Sequence, residues 1–334
     1  MVRSNVRPAP LRWCWLATTL LLACEPPVAQ LAAPMPGGRC LQAAPRQIGD
    51  GARFRLAAGR TLRGIDERRW QGPFFFVQLA DPQFGLHPPT GCRFAETANA
   101  ELIVEQINRL RPRFVVICGD LVENLDGPIE LAAWQVAEFK RVFRQIDPEI
   151  PLVLLPGNHD LGNVPTPETL ARYREIFGDD YFAFSIGGIR ALALDSPLLF
   201  NWTLAPDALV EQAHWLQREL AATAADPPTH LIAFQHHPWF VDEVDEPDGY
   251  YNLPRQNRRL VLDAFEAAGV RVVFSGHLHR NLHQRYGTVE LVSGGTVCDC
   301  LEPGLRVVEI YADRIEHRFY SPDKVPERIE LAPR

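Results

Sequence analysis

The chain has 334 residues, 46% apolar and 22% charged, so it can bury a large core without disulfides, as one large domain or two small ones. Its formal net charge of -7 argues against a nucleic-acid-binding protein, which would present a basic face. Glycine and proline are spread over many loops, with no repeat and no low-complexity tract.

The N-terminus reads as a targeting segment. Arg3, Arg7 and Arg12 precede an apolar run from Trp13 to Ala23. That run is shorter than the roughly 20 residues a bilayer needs and has the make-up of a secretory signal. It ends in Leu21-Leu22-Ala23-Cys24, which resembles a bacterial lipobox, so residues 1–24 are expected to be a signal whose Cys24 becomes lipidated. A cleaved signal with an incidental Cys24 is the alternative. Residues 25–50, rich in Pro and Ala, read as a tether, and residues 51–325 as a single globular domain. The expected location is outside the cytoplasm, periplasmic or membrane-anchored. Of the later cysteines, Cys118 ends an apolar strand and reads as a small buried hydrophobe. The pair Cys298-Asp299-Cys300 lacks the spacing of a redox motif and is assigned no chemistry.

Phe74–Leu79 is a buried strand ending in Asp81-Pro82-Gln83-Phe84-Gly85. From Ala95 to Leu110, apolar Ala98, Leu102, Ile103, Ile107 and Leu110 recur at helical spacing. Phe114–Cys118 is a second strand, followed by Gly119-Asp120-Leu121-Val122-Glu123-Asn124. A helix carrying Leu131, Phe139, Val142, Phe143 and Ile146 leads to the strand Leu152–Leu155. Pro156-Gly157 then turns the chain into Asn158-His159-Asp160. Strand–helix–strand–helix–strand is the pattern of a parallel sheet covered by helices. Ala183–Ile186 and Arg190–Leu194 flank Gly187-Gly188 as a hairpin, and a helix spans about Pro206–Leu220. The strand His230–Gln235 ends in His236-His237-Pro238. After a helix over Leu260–Ala268, the strand Val270–Ser275 ends in Gly276-His277-Leu278-His279. Val289–Val292, Leu305–Ile310 and Ile315–Tyr320 follow as strands without helices between them, which predicts a second sheet packed on the first.

Five strand ends thus carry Asp81, Asp120, Asn158, His236 and the pair His277 and His279. One such residue would mean little, since a single histidine is more often a satisfied or surface residue. His87, His214, His230, His283 and His317 are read that way. Five polar clusters placed directly after buried strands, where α/β sheets collect ligands, point to a shared metal site. Two dications roughly 3.5–4 Å apart need a carboxylate between them, and Asp120, set deep by Gly119, is the candidate. Mixed oxygen and nitrogen donors without cysteine point to Mn, Fe or Zn.

The series Asp81-x-Gln83, Gly119-Asp120-x-x-x-Asn124, Gly157-Asn158-His159-Asp160, His236-x-Pro238 and Gly276-His277-x-His279 resembles the calcineurin-like metallophosphoesterase superfamily, from about Phe74 to Tyr320. Its serine/threonine phosphatase branch is the nearest in style, through Asp81-Pro82-Gln83-Phe84-Gly85, Gly157–Asn163, Gly178–Phe182 and Phe274–Asn281. The resemblance implies an α/β fold, a four-layer α/β/β/α sandwich of two mixed sheets flanked by helices. It implies two divalent metal ions, the first held by Asp81, Asp120 and His279, the second by Asp120, Asn158, His236 and His277. Gln83, a candidate ligand of the first metal, stands where most of the superfamily has histidine, and its neutral amide oxygen is a poorer ligand than imidazole, so the first site is expected to be weaker or completed by water. His237 is read as pocket wall.

The implied mechanism is in-line attack on phosphorus by a metal-bridging hydroxide, with His159 as acid or charge stabiliser and Asp160 orienting its ring. Asn124, Arg280, Asn281, Tyr250, Tyr251 and Asn252 are candidates for substrate contact. The expected substrate is a phosphomonoester, a small molecule or a phosphoprotein. A phosphodiesterase or nucleotide hydrolase is the alternative within enzymes, and a metal- or phosphate-binding envelope lipoprotein is the alternative outside them.

Overall fold

The structure is a computed structural model that describes residues 67–87, 95–298 and 301–331. The expected signal, lipobox and tether lie outside the described residues, as do Cys40, Cys92 and Cys300.

The first sheet is built from β1 (Phe74–Leu79), β2 (Val115–Cys118) and β3 (Leu152–Leu155), joined in parallel. The crossovers are α1 (Ala95–Leu110) and α2 (Ile129–Phe143). Two short helices follow, α3 (Asn158–Leu161) and α4 (Pro167–Ile176). The chain then enters the hairpin β4 (Phe182–Ile186) and β5 (Ile189–Ala193). Next come α5 (Ser196–Phe200), α6 (Pro206–Ala225), β6 (His230–Phe234), α7 (Arg255–Ala268) and β7 (Val270–Ser275). The chain finishes with β8 (Leu282–Tyr286), β9 (Val289–Ser293), β10 (Leu305–Ile310) and β11 (Ile315–Tyr320). No helix among the described residues is long and apolar enough to cross a membrane.

The sheets are ordered β11-β10-β1-β2-β3 and β4-β5-β6-β7-β9-β8. Both are mixed, each with parallel strands at its centre. The expectation that the tail strands build a second sheet is corrected in part. β9 joins the second sheet beside β7, but β10 and β11 return to the first, antiparallel to β1. The second sheet is founded instead on the β4–β5 hairpin, β6 and β7. β8, with an alternating half-exposed pattern, is an edge strand too polar to stand out in the sequence.

Strand alternation divides the core. Phe76, Phe114, Val116, Val153 and Leu155 face the other sheet and meet Phe184, Phe234, Val272 and Phe274. Phe76 stacks on Phe114 at 4.5 Å and meets Phe234 and Phe274 edge-on at 5.7 and 5.9 Å. Each such pair contributes about 0.5–1.5 kcal/mol beyond the area it buries. Val77, Leu79, Val115 and Ile117 point the other way, into the core that the helices complete with Ile103, Ile107, Phe139 and Phe143. The buried stripe of α1 is Ala100, Ile103, Val104, Ile107 and Leu110, complete at helical spacing without Ala98 and Leu102. Both of those face outward, as does Leu131 at the start of α2. The parallel centres bring the C-terminal ends of β1, β2, β3, β6 and β7 together on one side of the sandwich.

Candidate metal centre

The residues leaving these strand ends take a backbone that L-amino acids avoid. Among the described residues, those other than glycine with positive φ are Asp81, Gln83, Asp120, His277, His279 and Arg111. All but Arg111 belong to the sequence-derived site. Strain of this kind is retained where surrounding structure over-determines it, which is typical of functional sites. Glycines make room for the close approach. A Cβ on Gly157 would lie 2.0 Å from Asp120 Oδ1, and one on Gly276 would lie 2.6 Å from Asp81 Oδ2.

Two donor groups result. Asp120, His236 and His277 each offer one ligand atom, all within 4.8 Å of one another, and so do Asp81, Asp120 and His279. Asp120 is common to both. The rings are aimed by their other nitrogens. His236 Nδ1 donates to Cys118 O at 2.9 Å, which leaves Nε2 at 3.2 Å from Asp120 Oδ2 and 3.0 Å from Asn158 Oδ1. His277 Nε2 donates to Tyr250 O at 2.8 Å, which leaves Nδ1 at 3.2 Å from His236 Nε2. His279 Nε2 lies 3.5 Å from Asp81 Oδ1. Asp81 is held by the His277 backbone N–H, which donates to both its oxygens at 3.1 and 3.0 Å. Buried carboxylates and imidazoles with inward lone pairs and outward N–H anchors are the donor set a pair of divalent cations needs.

The electrostatics agree. Burial pushes the Asp120 carboxyl upward, but the charges of His236, His159 and His277 outweigh it and hold Asp120 well below the carboxylate range. Burial lowers His236, but the Asp120 charge and hydrogen bond raise it to about 9. Burial and the neighbouring His236 charge push His277 down to about 4. An anion buried among imidazoles is a place where cationic charge is already being drawn in.

His159 and Asp160 follow on α3. The His159 backbone N–H donates to Asp120 Oδ1 at 2.9 Å, and its Nδ1 lies 2.7 Å from Glu123 O and 3.3 Å from Glu123 Oε2. Its Nε2 faces Asp120 Oδ2 at 4.0 Å. Burial alone would lower its pKa, but the Asp120 and Glu123 charges raise it. The expectation that Asp160 orients this ring is corrected. Asp160 instead accepts from the N–H groups of Leu121, Val122 and Gly157 at 3.0, 3.2 and 2.8 Å. It clasps the Asp120 loop to the start of α3, and Glu123 takes the orienting place. The sequence offered one sign of this, an acid three residues after Asp120.

Gln83 is buried beside the first group, its Nε2 donating to Glu123 Oε2 at 3.2 Å. Cys298, assigned no chemistry, is buried with Sγ 3.8 Å from both Gln83 Oε1 and His279 Nδ1. Its Thr-Val-Cys context gave no signal of that. His237, read as pocket wall, packs behind the His236–His277 side of the site. It is fully buried, stacked on Phe200, with Nδ1 on Ser196 Oγ at 3.1 Å.

The substrate-contact candidates divide. Tyr250 and Tyr251 are 45% and 56% exposed on the rim beside His277, and burial with the Asp120 charge pushes the Tyr250 phenol up to about 12. Arg280 is exposed next to His279. Asn124 is exposed, with its amide folded over Gly127. Asn252 and Asn281 are corrected to structural roles. Asn252 is buried, bonded to Glu246, Pro247 O and Gly249 N. Asn281 is tied to Glu302 and Arg306.

Comparison with known proteins gives the same picture. Residues 76–281 match the family described as calcineurin-like phosphoesterase. The chain is 40% identical over 298 residues to the serine/threonine-protein phosphatase CPPED1 of Bos taurus, covering 83% of this chain and 94% of that protein. The protein of the same name from Homo sapiens is 40% identical over 299 residues, again covering 83% and 94%. Among solved structures, a dimetal phosphatase from Danio rerio superposes with a TM-score of 0.56 at 15% identity, covering 75% of this chain and 97% of that one. Purple acid phosphatase PPD1 from yellow lupin superposes with a TM-score of 0.56 at 13% identity, covering 76% and 52%. At such identities the two structures speak to the fold.

Proposed function

The chain belongs to the calcineurin-like phosphoesterase family, and from that premise we propose a phosphomonoesterase acting through a dinuclear metal centre. The observation that carries this is the sharing of Asp120 between two donor groups. Two bound divalent ions, Mn, Fe or Zn by the donor set, would supply the positive charge that holds a phosphate and the lowered pKa that readies a water for attack. The chain's own residues do the rest. Asp81, Asp120 and His279 would hold one ion, and Asp120, Asn158, His236 and His277 the other. His159 is oriented by Glu123 through Nδ1 and presents Nε2 toward the centre, placed to give a proton to the departing oxygen. Asp160 keeps the Asp120 loop and α3 in register.

The animal relatives are named serine/threonine-protein phosphatases, and we extend that substrate class, phosphoserine and phosphothreonine, to this chain. The half-exposed Tyr250–Tyr251 rim would accommodate a peptide beside the phosphate. We also propose export and lipidation at Cys24, on the basic start, the short apolar run and the Leu-Leu-Ala-Cys end. Mass spectrometry of the mature N-terminus in a bacterial host decides the latter, and an unmodified terminus downstream of Cys24 means plain secretion.

The activity is tested with metal-reconstituted protein on p-nitrophenyl phosphate, its bis ester and a phosphoserine peptide. Phosphate release from the monoester and the peptide, abolished by chelation, is the expected result. Preference for the bis ester would make the protein a diesterase.

A further inference from the structure

The sandwich carries a loop between β6 and α7 whose tip is built with unusual care for an exposed segment. Buried Glu246 accepts the N–H groups of Val241, Asp242 and Glu243 at 2.8, 2.7 and 3.2 Å. Fully buried Arg258 donates to the carbonyls of Val244, Glu246 and Leu253 at 3.0, 2.7 and 2.7 Å. Asn252 closes the turn through Gly249 N and Pro247 O. The loop is therefore fixed from within, and what it presents at its tip is Tyr250.

Tyr250 touches two residues of the second proposed metal site, Asn158 and His277. Its hydroxyl accepts from Asn158 Nδ2 at 3.0 Å, and its carbonyl accepts from His277 Nε2 at 2.8 Å. Its ring also lies 4.8 Å from the His277 ring. Asn158 is thus held at both ends of its amide, Nδ2 on Tyr250 and Oδ1 at 3.0 Å from His236 Nε2. An amide is a weak, freely rotating ligand, so a fixed partner for its nitrogen keeps the oxygen turned inward. Tyr251 is different. Its ring meets Tyr250 and approaches His277 only to 5.9 Å, and its hydroxyl has no part in holding Asn158.

We propose that Tyr250 is a positioning residue for the Asn158–His236–His277 metal site, with the Glu246–Arg258 loop as its rigid mount. The inference rests on the dinuclear reading above. Because outer contacts of this kind typically change metal affinity about 10–100-fold, Tyr250→Phe should weaken metal uptake at this site about tenfold or more. It keeps the ring and the carbonyl contact to His277, so folding should be intact.

The test is calorimetric titration of metal-free protein with Mn(II), for wild type, Tyr250→Phe and Tyr251→Phe, alongside phosphatase assays over a range of Mn(II). The expected result is a weakened first equivalent, the site that fills first because Gln83 leaves the Asp81 side poorer, in Tyr250→Phe alone, with activity recovering at high Mn(II). Wild-type behaviour of Tyr250→Phe, or equal weakening in both variants, overturns the inference while leaving the dinuclear reading standing. Wild-type protein that takes up fewer than two equivalents overturns both.

Discussion

Glu123 holds His159 by its carbonyl oxygen, 2.7 Å from the ring Nδ1. Since a carbonyl only accepts, that nitrogen carries a hydrogen, and the other nitrogen, whose proton the neighbouring Asp120 and Glu123 charges help retain, is the one turned to Asp120. The acid of the proposed reaction is therefore aimed by a backbone group that side-chain substitution at 123 leaves in place.

His159→Ala should lower kcat roughly 10²–10⁴-fold for a phosphoester with a poor leaving group, the usual contribution of a positioned general acid. The loss should be much smaller for p-nitrophenyl phosphate, whose leaving group needs no proton. Metal content should stay near normal, because His159 is in neither donor group. A variant stripped of metal, or an equal loss for both substrates, would remove His159 from the acid's role.

Asp160→Asn should behave differently, because the carboxylate receives three backbone N–H groups and touches no ring. Turning an amide N–H₂ toward those donors costs roughly 1–3 kcal/mol. Thermal melts should show that loss, and activity should fall by the same factor whatever the leaving group. A fall confined to poor leaving groups would restore Asp160 as the partner of His159.

Stability should depend on pH through Asp195, far from any metal donor in sequence. Its burial, and then the Asp180 charge beside it, raise its pKa well above the usual value, and Asp179 is raised to about 6 for the same two reasons. A raised pKa means the folded state holds its proton more tightly than the unfolded chain. The associated stability is complete below about pH 4, the unfolded value, and is lost as pH rises through the folded values. Asp195→Asn can keep the cap on the Leu198 N–H and remove the charge. In chelator, it should melt a few degrees above wild type at pH 8, the gap closing toward pH 4. A constant gap across that range would contradict the assignment.

Gln83→His should tighten the Asp81 side of the centre, on the order of tenfold, the lower end of what changes around a metal produce. The left-handed backbone at this position is already in place, so the substitution exchanges a neutral amide for an imidazole without a new turn. Metal analysis at limiting metal should show uneven occupancy in wild type and more even occupancy in the variant. Equal occupancy in both would mean Gln83 does not limit the site.

That Asp81, Asp120, His236, His277 and His279 would gather was legible because each closely follows a buried strand, and strand C-terminal ends are a fixed address in a parallel sheet. What pattern could not reveal was which way a side chain turns. Asp160 and Asn158 are two residues apart, yet one faces backbone N–H groups and the other the donor cluster. Asn252 and Asn281 carry the same amide as Asn158 but spend it on loop closure. Glu123 and Cys298 reach the centre through turns whose direction only the fold decides. The return of β10 and β11 to the first sheet was likewise hidden, because strand pairing across nearly the whole chain leaves no local periodicity.

The account's central claim is that Asp120 joins two cations into one centre, and the most direct measurement is metal stoichiometry with activity for wild type and Asp120→Asn. Wild type should bind two equivalents and release phosphate from a monoester. In the variant both equivalents should weaken together, and activity should fall for every substrate regardless of leaving group. A variant that loses one equivalent and keeps the other at wild-type affinity would contradict the shared carboxylate and, with it, the dinuclear mechanism.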